Sequence, residues 1–178
     1  YSSAASDVYK RQFQKRGYQA AWFSVNMRLD LAGYEPGQVD IPPVPEGVAF
    51  RLLETGEEAA LLAAVEDAQP AWLEFYQGCP SPILVAAEQG QLVGFAMVPP
   101  EGGRFLGDVE KPGSLECVGV VKSHRNRGIG MGMVLAGIRW LKEQGCGSIE
   151  LRYVALEDWY HKVGFCTFQR MWMGEKNL

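Results

Sequence analysis

Metal ligands and redox pairs are scarce in this 178-residue chain. It has two histidines, His124 and His161, and four cysteines, Cys79, Cys117, Cys146 and Cys166. The cysteines are scattered and form no CxxC pair, so no zinc-ligand pattern is present and no metal is expected. Four unpaired thiols fit a reducing compartment, and a cytoplasmic setting is the expectation. No apolar run approaches the ~20 residues that a membrane-spanning helix needs. There is no large excess of either charge: the net charge is −4. That gives no footing for nucleic acid or a membrane surface as partner.

What is present suits a soluble folded unit. Apolar residues make up 47% and charged residues 21% of the chain, enough for one domain with a sizeable core and short for two. The first residues, YSSAASDVYKRQ, have neither an initiator Met nor the apolar centre of a secretion signal. They resemble translated adaptor sequence. Residues 1–12 are therefore set aside, and the natural gene is expected to continue upstream.

From Phe23 to Leu31 the residues FSVNMRLDL alternate strictly. Phe23, Val25, Met27, Leu29 and Leu31 share one face, and the pattern predicts a half-buried strand. Residues 32–47 hold four prolines and three glycines and read as a linker. A compact unit is expected from residue 48 on. Strand 48–54 leads to Thr55 and Glu58, which match a capping box for a helix reaching Glu66. A short second helix is expected at 71–77. Two strands, 83–87 and 92–98, flank EQGQ as a hairpin. Residues 99–103 read as a turn, and 114–121 as one central strand. A helix ends near Glu143 with Ile129, Met133, Gly137 and Trp140/Leu141 on one face and Gly145 as its stop. A strand at 148–154, a short helix at 156–162 and a strand at 167–173 complete the order.

The stretch KSHRNRGIGMG, Lys122 to Gly132, follows a strand and opens a helix. Its glycines let backbone approach a bulky anion, and the free N–H groups of a helix start point at it. Lys122, His124, Arg125 and Arg127 add positive charge nearby, so a pyrophosphate is the expected ligand. A dinucleotide fingerprint needs a third glycine where Met133 stands, and a P-loop pattern is absent.

Residues 48–173 as a whole resemble the GNAT superfamily of acyl-CoA-dependent N-acyltransferases. The resemblance is carried by the element order, by ECVGVV, by R-x-x-G-x-G from Arg125 to Gly130, and by WYHKVGF from Trp159 to Phe165. It implies an α/β fold: a mixed, mostly antiparallel twisted sheet flanked by helices, in the order β-α-α-β-β-β-α-β-α-β. It implies acetyl-CoA as co-substrate and the primary amine of a small molecule or peptide as acceptor. By the same resemblance Val118, Gly119 and Val120 run beside the pantetheine arm. Arg125, Asn126, Arg127, Gly128, Ile129, Gly130 and Met131 cradle the pyrophosphate. Tyr160 donates a proton to the leaving thiolate.

Three departures stand out: Lys122 replaces a frequent proline, Asn126 replaces a frequent glycine, and Tyr153 stands where many members place an asparagine that contacts CoA. Glu116 is the candidate base, with Glu157 and Asp158 as alternatives. Trp72, Phe75 and Tyr76 are candidates for the acceptor side. Cys117 reads as a small packed residue, since direct transfer needs no covalent intermediate. The competing class is a non-catalytic acyl-CoA-binding module.

FQKRGY, Phe13 to Tyr18, repeats the pattern of YHKVGF, Tyr160 to Phe165, about one such domain apart. Each is followed by a strand. Residues 13–31 are therefore expected to be the tail of an upstream GNAT-like domain in a tandem protein. Their apolar face is expected to dock on the remaining domain or, in a homodimer, on another copy through strand 23–31.

Overall fold

The computed structural model describes residues 3–35, 43–102 and 112–176. Helix α1 (Ser3–Lys15) leads into strand β1 (Gln19–Asp30). After residues 31–47 come β2 (Val48–Leu52), α2 (Glu58–Ala68), a single 3-10 turn at Pro70–Trp72, and α3 (Leu73–Tyr76). The hairpin β3 (Ile83–Glu88) and β4 (Gln91–Met97) follows, then β5 (Pro112–Ser114) and β6 (Glu116–Val120). Helix α4 (Ile129–Glu143), strand β7 (Ser148–Val154), helix α5 (Glu157–His161) and strand β8 (Cys166–Glu175) end the order. Among the described residues no helix is long and apolar enough to cross a membrane.

The strands form two four-stranded sheets, ordered β2-β3-β4-β6 and β5-β7-β1-β8. All pairs are antiparallel except β5 with β7. The single strand expected at 114–121 is in fact two. Up to Ser114 the chain pairs with Glu150 of β7, and from Glu116 it pairs with β4 of the other sheet. Leu115, 3% exposed, sits at the change of sheet. Residue patterning along 114–121 does not separate the two pieces, because the change of partner strand is a long-range event; burial does, β5 being buried and β6 mostly half-buried.

Helix α4 packs against strands of both sheets. Its Ile129, Met133, Val134 and Leu141 are buried with Met27 and Leu29 of β1 and Ile149 and Leu151 of β7 in one cluster. A second cluster lies where α2 and α3 cover the first sheet, through Leu61, Val65, Tyr76, Val85 and Phe95. The expected capping box does not form. The residue before α2 is Glu57, whose side chain caps no helical N–H; it accepts the Glu54 N–H and two bonds from Arg51 instead. Arg51 offers a charge-assisted fork that a Thr hydroxyl cannot match.

Strand β1 is an interior strand, paired with β7 on one edge and β8 on the other. Half of its polar face is not open to water as alternation implies: Ser24 and Asn26 are 3% and 6% exposed, while Asp30 is exposed. Arg28 lies opposite Glu150 in register and donates to its carboxylate. Removing water from Glu150, 2% exposed, is costly unless that cation is present. Tyr34 of the expected linker is also docked, its hydroxyl donating to the Val163 carbonyl at 2.9 Å; residues 36–42 of that linker lie outside the described residues.

The two aromatic–glycine motifs fold alike. Phe13 and Tyr18 meet edge to face at 5.4 Å, and Tyr160 and Phe165 do so at 5.8 Å. In each, a glycine with φ of 85° (Gly17) or 91° (Gly164) reverses the chain between helix and strand. Matching backbone bonds close both turns, Gly17 N–H to Gln14 O and Gly164 N–H to His161 O, each at 3.0 Å. A residue with a Cβ is strained at such φ, which is the reason for glycine there.

The alternation places Phe23 and Met27 on one face, but Met27 is fully buried and Phe23 is 59% exposed. We expect Met27→Ala to cost about 2–5 kcal/mol in urea unfolding. Phe23→Ala, at a mostly exposed side chain that meets Lys10, is expected to stay within about 1 kcal/mol of wild type.

Candidate active site

Strand β6 is the edge of its sheet on the side away from β4. The last link between this segment and β7 is the Leu115 N–H to the Glu150 carbonyl, at 3.4 Å. Beyond it β6 and β7 diverge. The space between them is a cavity of about 570 Å³ lined by Glu116, Cys117, Val118, Tyr153 and Tyr160, with Trp72 and Phe75 on the opposite wall. A second cavity of about 420 Å³ lies at the start of α4, lined by Val120, Arg125, Asn126, Gly128, Gly130 and Met131. Leu156 borders both.

The loop before α4 is held by its own residues. Arg125 donates from Nε to the Val120 carbonyl at 3.1 Å and from Nη2 to the Ala68 carbonyl at 2.9 Å. The second bond satisfies an end carbonyl of α2 with a cation. Asn126 has φ of 61° and Gly128 φ of 78°. Asparagine is among the few side chains that tolerate this region. The first helical bond runs from Gly132 N–H to the Gly128 carbonyl, at 2.9 Å. The N–H groups of Ile129, Gly130 and Met131 precede it and have no intrahelical acceptor. This is a cradle for an anion, and it fits the pyrophosphate of CoA.

The charge around it differs from the sequence expectation. Arg127 is held by Glu88 through two bonds, at 3.1 and 2.7 Å, and His124 Nε2 lies 3.0 Å from the same carboxylate. Arg127 holds the Glu88 carboxyl below its ordinary range. Neither Arg127 nor Lys122 lines the cavity, and the Lys122 N–H is bonded to Asp67. The basic residues that do line it are His124, Arg125 and Lys162. Lys162 was missed; its signal is its place between Tyr160 and Gly164, one turn from the loop.

Other expected residues separate. Val118 and Val120 line the cavities, while Gly119 turns to the other face, where a Cβ would strike the Phe95 ring. Ile129 is fully buried and offers only its N–H. Trp72 and Phe75 line the larger cavity, but Tyr76 does not. It is 3% exposed, packs edge to face on Phe95, and donates its hydroxyl to the Cys117 carbonyl at 2.8 Å. Neighbouring residues of one helical turn point to different faces, so Tyr76 cannot follow Phe75.

Tyr160 stands edge to face with Trp159 at 4.7 Å as well as with Phe165. Its hydroxyl has no hydrogen-bond partner among the described residues. Burial, and then the neighbouring Cys117, push its pKa up to about 12. Burial also pushes the Cys117 thiol up to about 11, with Glu116 and Cys79 adding to it. It is thus protonated at neutral pH and a weak nucleophile. Glu157 is no candidate base: it is spent on Arg170, at 2.6 and 2.8 Å, on Thr167 at 2.6 Å and on His161. Asp158 is exposed and outside the cavity that holds Tyr160. Among the described residues no three metal-ligating side chains cluster.

The sequence profile of the Acetyltransferase (GNAT) family matches residues 50–165. The chain belongs to the GNAT family. A GNAT relative from Actinosynnema mirum, a mycothiol acetyltransferase, is 29% identical over 158 residues, 80% of this chain and 51% of the relative. The chain thus spans about half the length of that protein. Among solved structures, a glucosamine N-acetyltransferase region of a fungal multi-domain GH3 β-N-acetylglucosaminidase superposes with a TM-score of 0.77 and 24% identity, covering 98% of this chain and 23% of that one. A GCN5-related N-acetyltransferase from Sphaerobacter thermophilus gives 0.72 and 24%, covering 93% and 55%. Both share the GNAT fold.

The Glu157 cluster sets a pH dependence. Arg170 first, then Thr167, hold its carboxyl at about 2, below the 4.5 of a free group. Its contribution to stability is present above about pH 4.5 and lost as pH falls toward 2. Glu157→Gln is therefore expected to lose less stability than wild type between those values, read from urea midpoints across the range.

Proposed function

We propose that this GNAT chain transfers an acetyl group from acetyl-CoA to the primary amine of a small molecule or peptide by direct attack on the thioester. The observation that carries the reading is the free Tyr160 hydroxyl. It stands in the cavity between β6 and β7, next to the helix-start cradle, where a pure binding module has no use for it. In this reading the free edge of β6 near Val118 offers backbone N–H groups to the oxyanion. Glu116 lines the same cavity and takes the proton of the attacking ammonium, directly or through water.

The raised pKa refines the role of Tyr160. A thiol with an ordinary pKa of ~8.5 is roughly 3.5 units below the phenol, so full proton transfer costs about 5 kcal/mol. Tyr160 therefore stabilises the leaving thiolate by a hydrogen bond, and the thiolate takes its proton elsewhere. Residues 13–31 are read as the tail of an upstream GNAT-like repeat, supported by the equivalent turns at Gly17 and Gly164. In that repeat Phe13 takes the place of Tyr160, so it lacks the phenol. None of the four cysteines is in a disulfide, which fits a cytoplasmic setting.

Tyr160→Phe is expected to lower kcat roughly 10–100-fold, the worth of one hydrogen bond to a charged group. CoA affinity, read by thermal shift, should stay unchanged. Wild-type kcat in that variant would remove the assigned role. Stabilisation by CoA without turnover on any amine would favour the binding-module reading. Stabilisation by NAD or ATP and not by CoA would overturn the site assignment.

A further inference from the structure

The larger cavity is lined from within the family's matched segment, but one of its lining residues, Tyr153, is set from outside that segment by β1. β1 lies outside residues 50–165. Its pairing with β7 is regular from Asp30 to Met27 and then slips, so that Met27 faces Leu151 but Val25 faces Val154. β7 therefore carries an extra residue there, a bulge at Arg152–Tyr153. Tyr153 has φ of 54°. Asn26, 6% exposed, fills the break: its Oδ1 accepts the Tyr153 N–H at 3.1 Å, and its Nδ2 donates to Gln169 Oε1 at 2.7 Å.

The bulge turns the Tyr153 side chain out to the cavity, 63% exposed. Trp22 of β1, 43% exposed, stands against it with ring centroids 6.4 Å apart. Phe75 and Leu156, 59% and 62% exposed, line the same cavity. Large apolar side chains left in water around one opening form a ligand surface. Aromatic faces reward a flat partner.

We propose that Trp22 and Tyr153 form the acceptor-binding wall of this site, that Asn26 is the positioning residue that sets it, and that the acceptor amine is borne on a ring, aromatic or pyranose, rather than on an open chain. The proposal rests on reading the larger cavity as the acceptor side of an acyltransferase.

Calorimetric titration tests it. The chain is titrated first with CoA and then, CoA-loaded, with glucosamine, tyramine and putrescine. A ring amine is expected to bind about tenfold tighter than putrescine, with the better ring telling pyranose from aromatic. Trp22→Ala and Tyr153→Ala should each weaken it about tenfold while CoA affinity holds. Asn26→Leu should do the same, and Asn26→Asp, which keeps an oxygen for the Tyr153 N–H, should restore binding. Equal affinity for ring and open-chain amines, or wild-type affinity in Tyr153→Ala, overturns the proposal. Failure of wild type to bind CoA sinks the acyltransferase reading instead; the ring amines are then titrated without CoA, and no binding sinks the wall too.

Discussion

The site depends on where one strand stops pairing with one neighbour and starts pairing with another. Ser114 is bonded into β7's sheet and Glu116 into β4's, with only Leu115 between them. Just past that change of sheet the register of β6 on β4 slips, with one extra residue in β6, and Cys117 there has φ of 48°. Such a conformation costs of order 1–3 kcal/mol for a residue with a side chain. The Tyr76 hydroxyl offsets part of that by holding the Cys117 carbonyl, while the buried Leu115 anchors the strand on the other side. The opening between β6 and β7, the free edge of β6 and the aim of Val118 into the cavity all follow from this bend.

The opening also needs β7 held firmly on its far side, and β1 does that. Its apolar face enters the same core as α4, and Arg28 makes the shorter of the two ion pairs, with Arg152 the other, that hold the buried Glu150 carboxylate. The repeated aromatic–glycine motif acquires a physical meaning here. Both copies end a helix, turn through a glycine at positive φ, lock two rings edge to face, and launch a strand. The two strands then lie side by side as β1 and β8. The motif is a folding device first; only the copy with a tyrosine in its first position brings a hydroxyl to the cavity.

What the sequence made legible is what local periodicity governs. The span of the strand at 148–154 and the buried face of α4 appear as read, since periodicity acts over a few residues, but the alternation along that strand does not hold: Glu150 is buried and Tyr153 exposed. The loop glycines and Asn126 at positive φ were legible from residue chemistry alone. The rest turned on partners far along the chain. Glu88 takes the charge of Arg127 from 39 residues away. On the polar face of β1, Ser24 and Asn26 are buried, Asn26 bonded to Gln169 of β8 and to the Tyr153 N–H of β7, and no pattern within 19–30 encodes those partners. Tyr76 and Phe75 are neighbours in sequence, and only the packing of α3 on Phe95 decides which is core. The Thr55–Glu58 capping box lost to an Arg51–Glu57 pair whose geometry depends on β2.

These corrections narrow the proton inventory of the proposed reaction. With Glu157 tied to Arg170 and Asp158 outside, Glu116 is the carboxylate on the cavity wall among the described residues. The Cys117 thiol and the Tyr160 phenol both titrate far above neutrality, so neither takes a proton from an incoming ammonium. Among the described residues the cavity thus has one carboxylate to accept a proton, Glu116, and the Tyr160 phenol holds its own proton too tightly to surrender it. Proton flow in the proposed reaction then runs one way, from the amine through Glu116 or water to solvent. The phenol polarises the leaving sulfur without titrating, and what limits the rate at low pH is deprotonation of the acceptor.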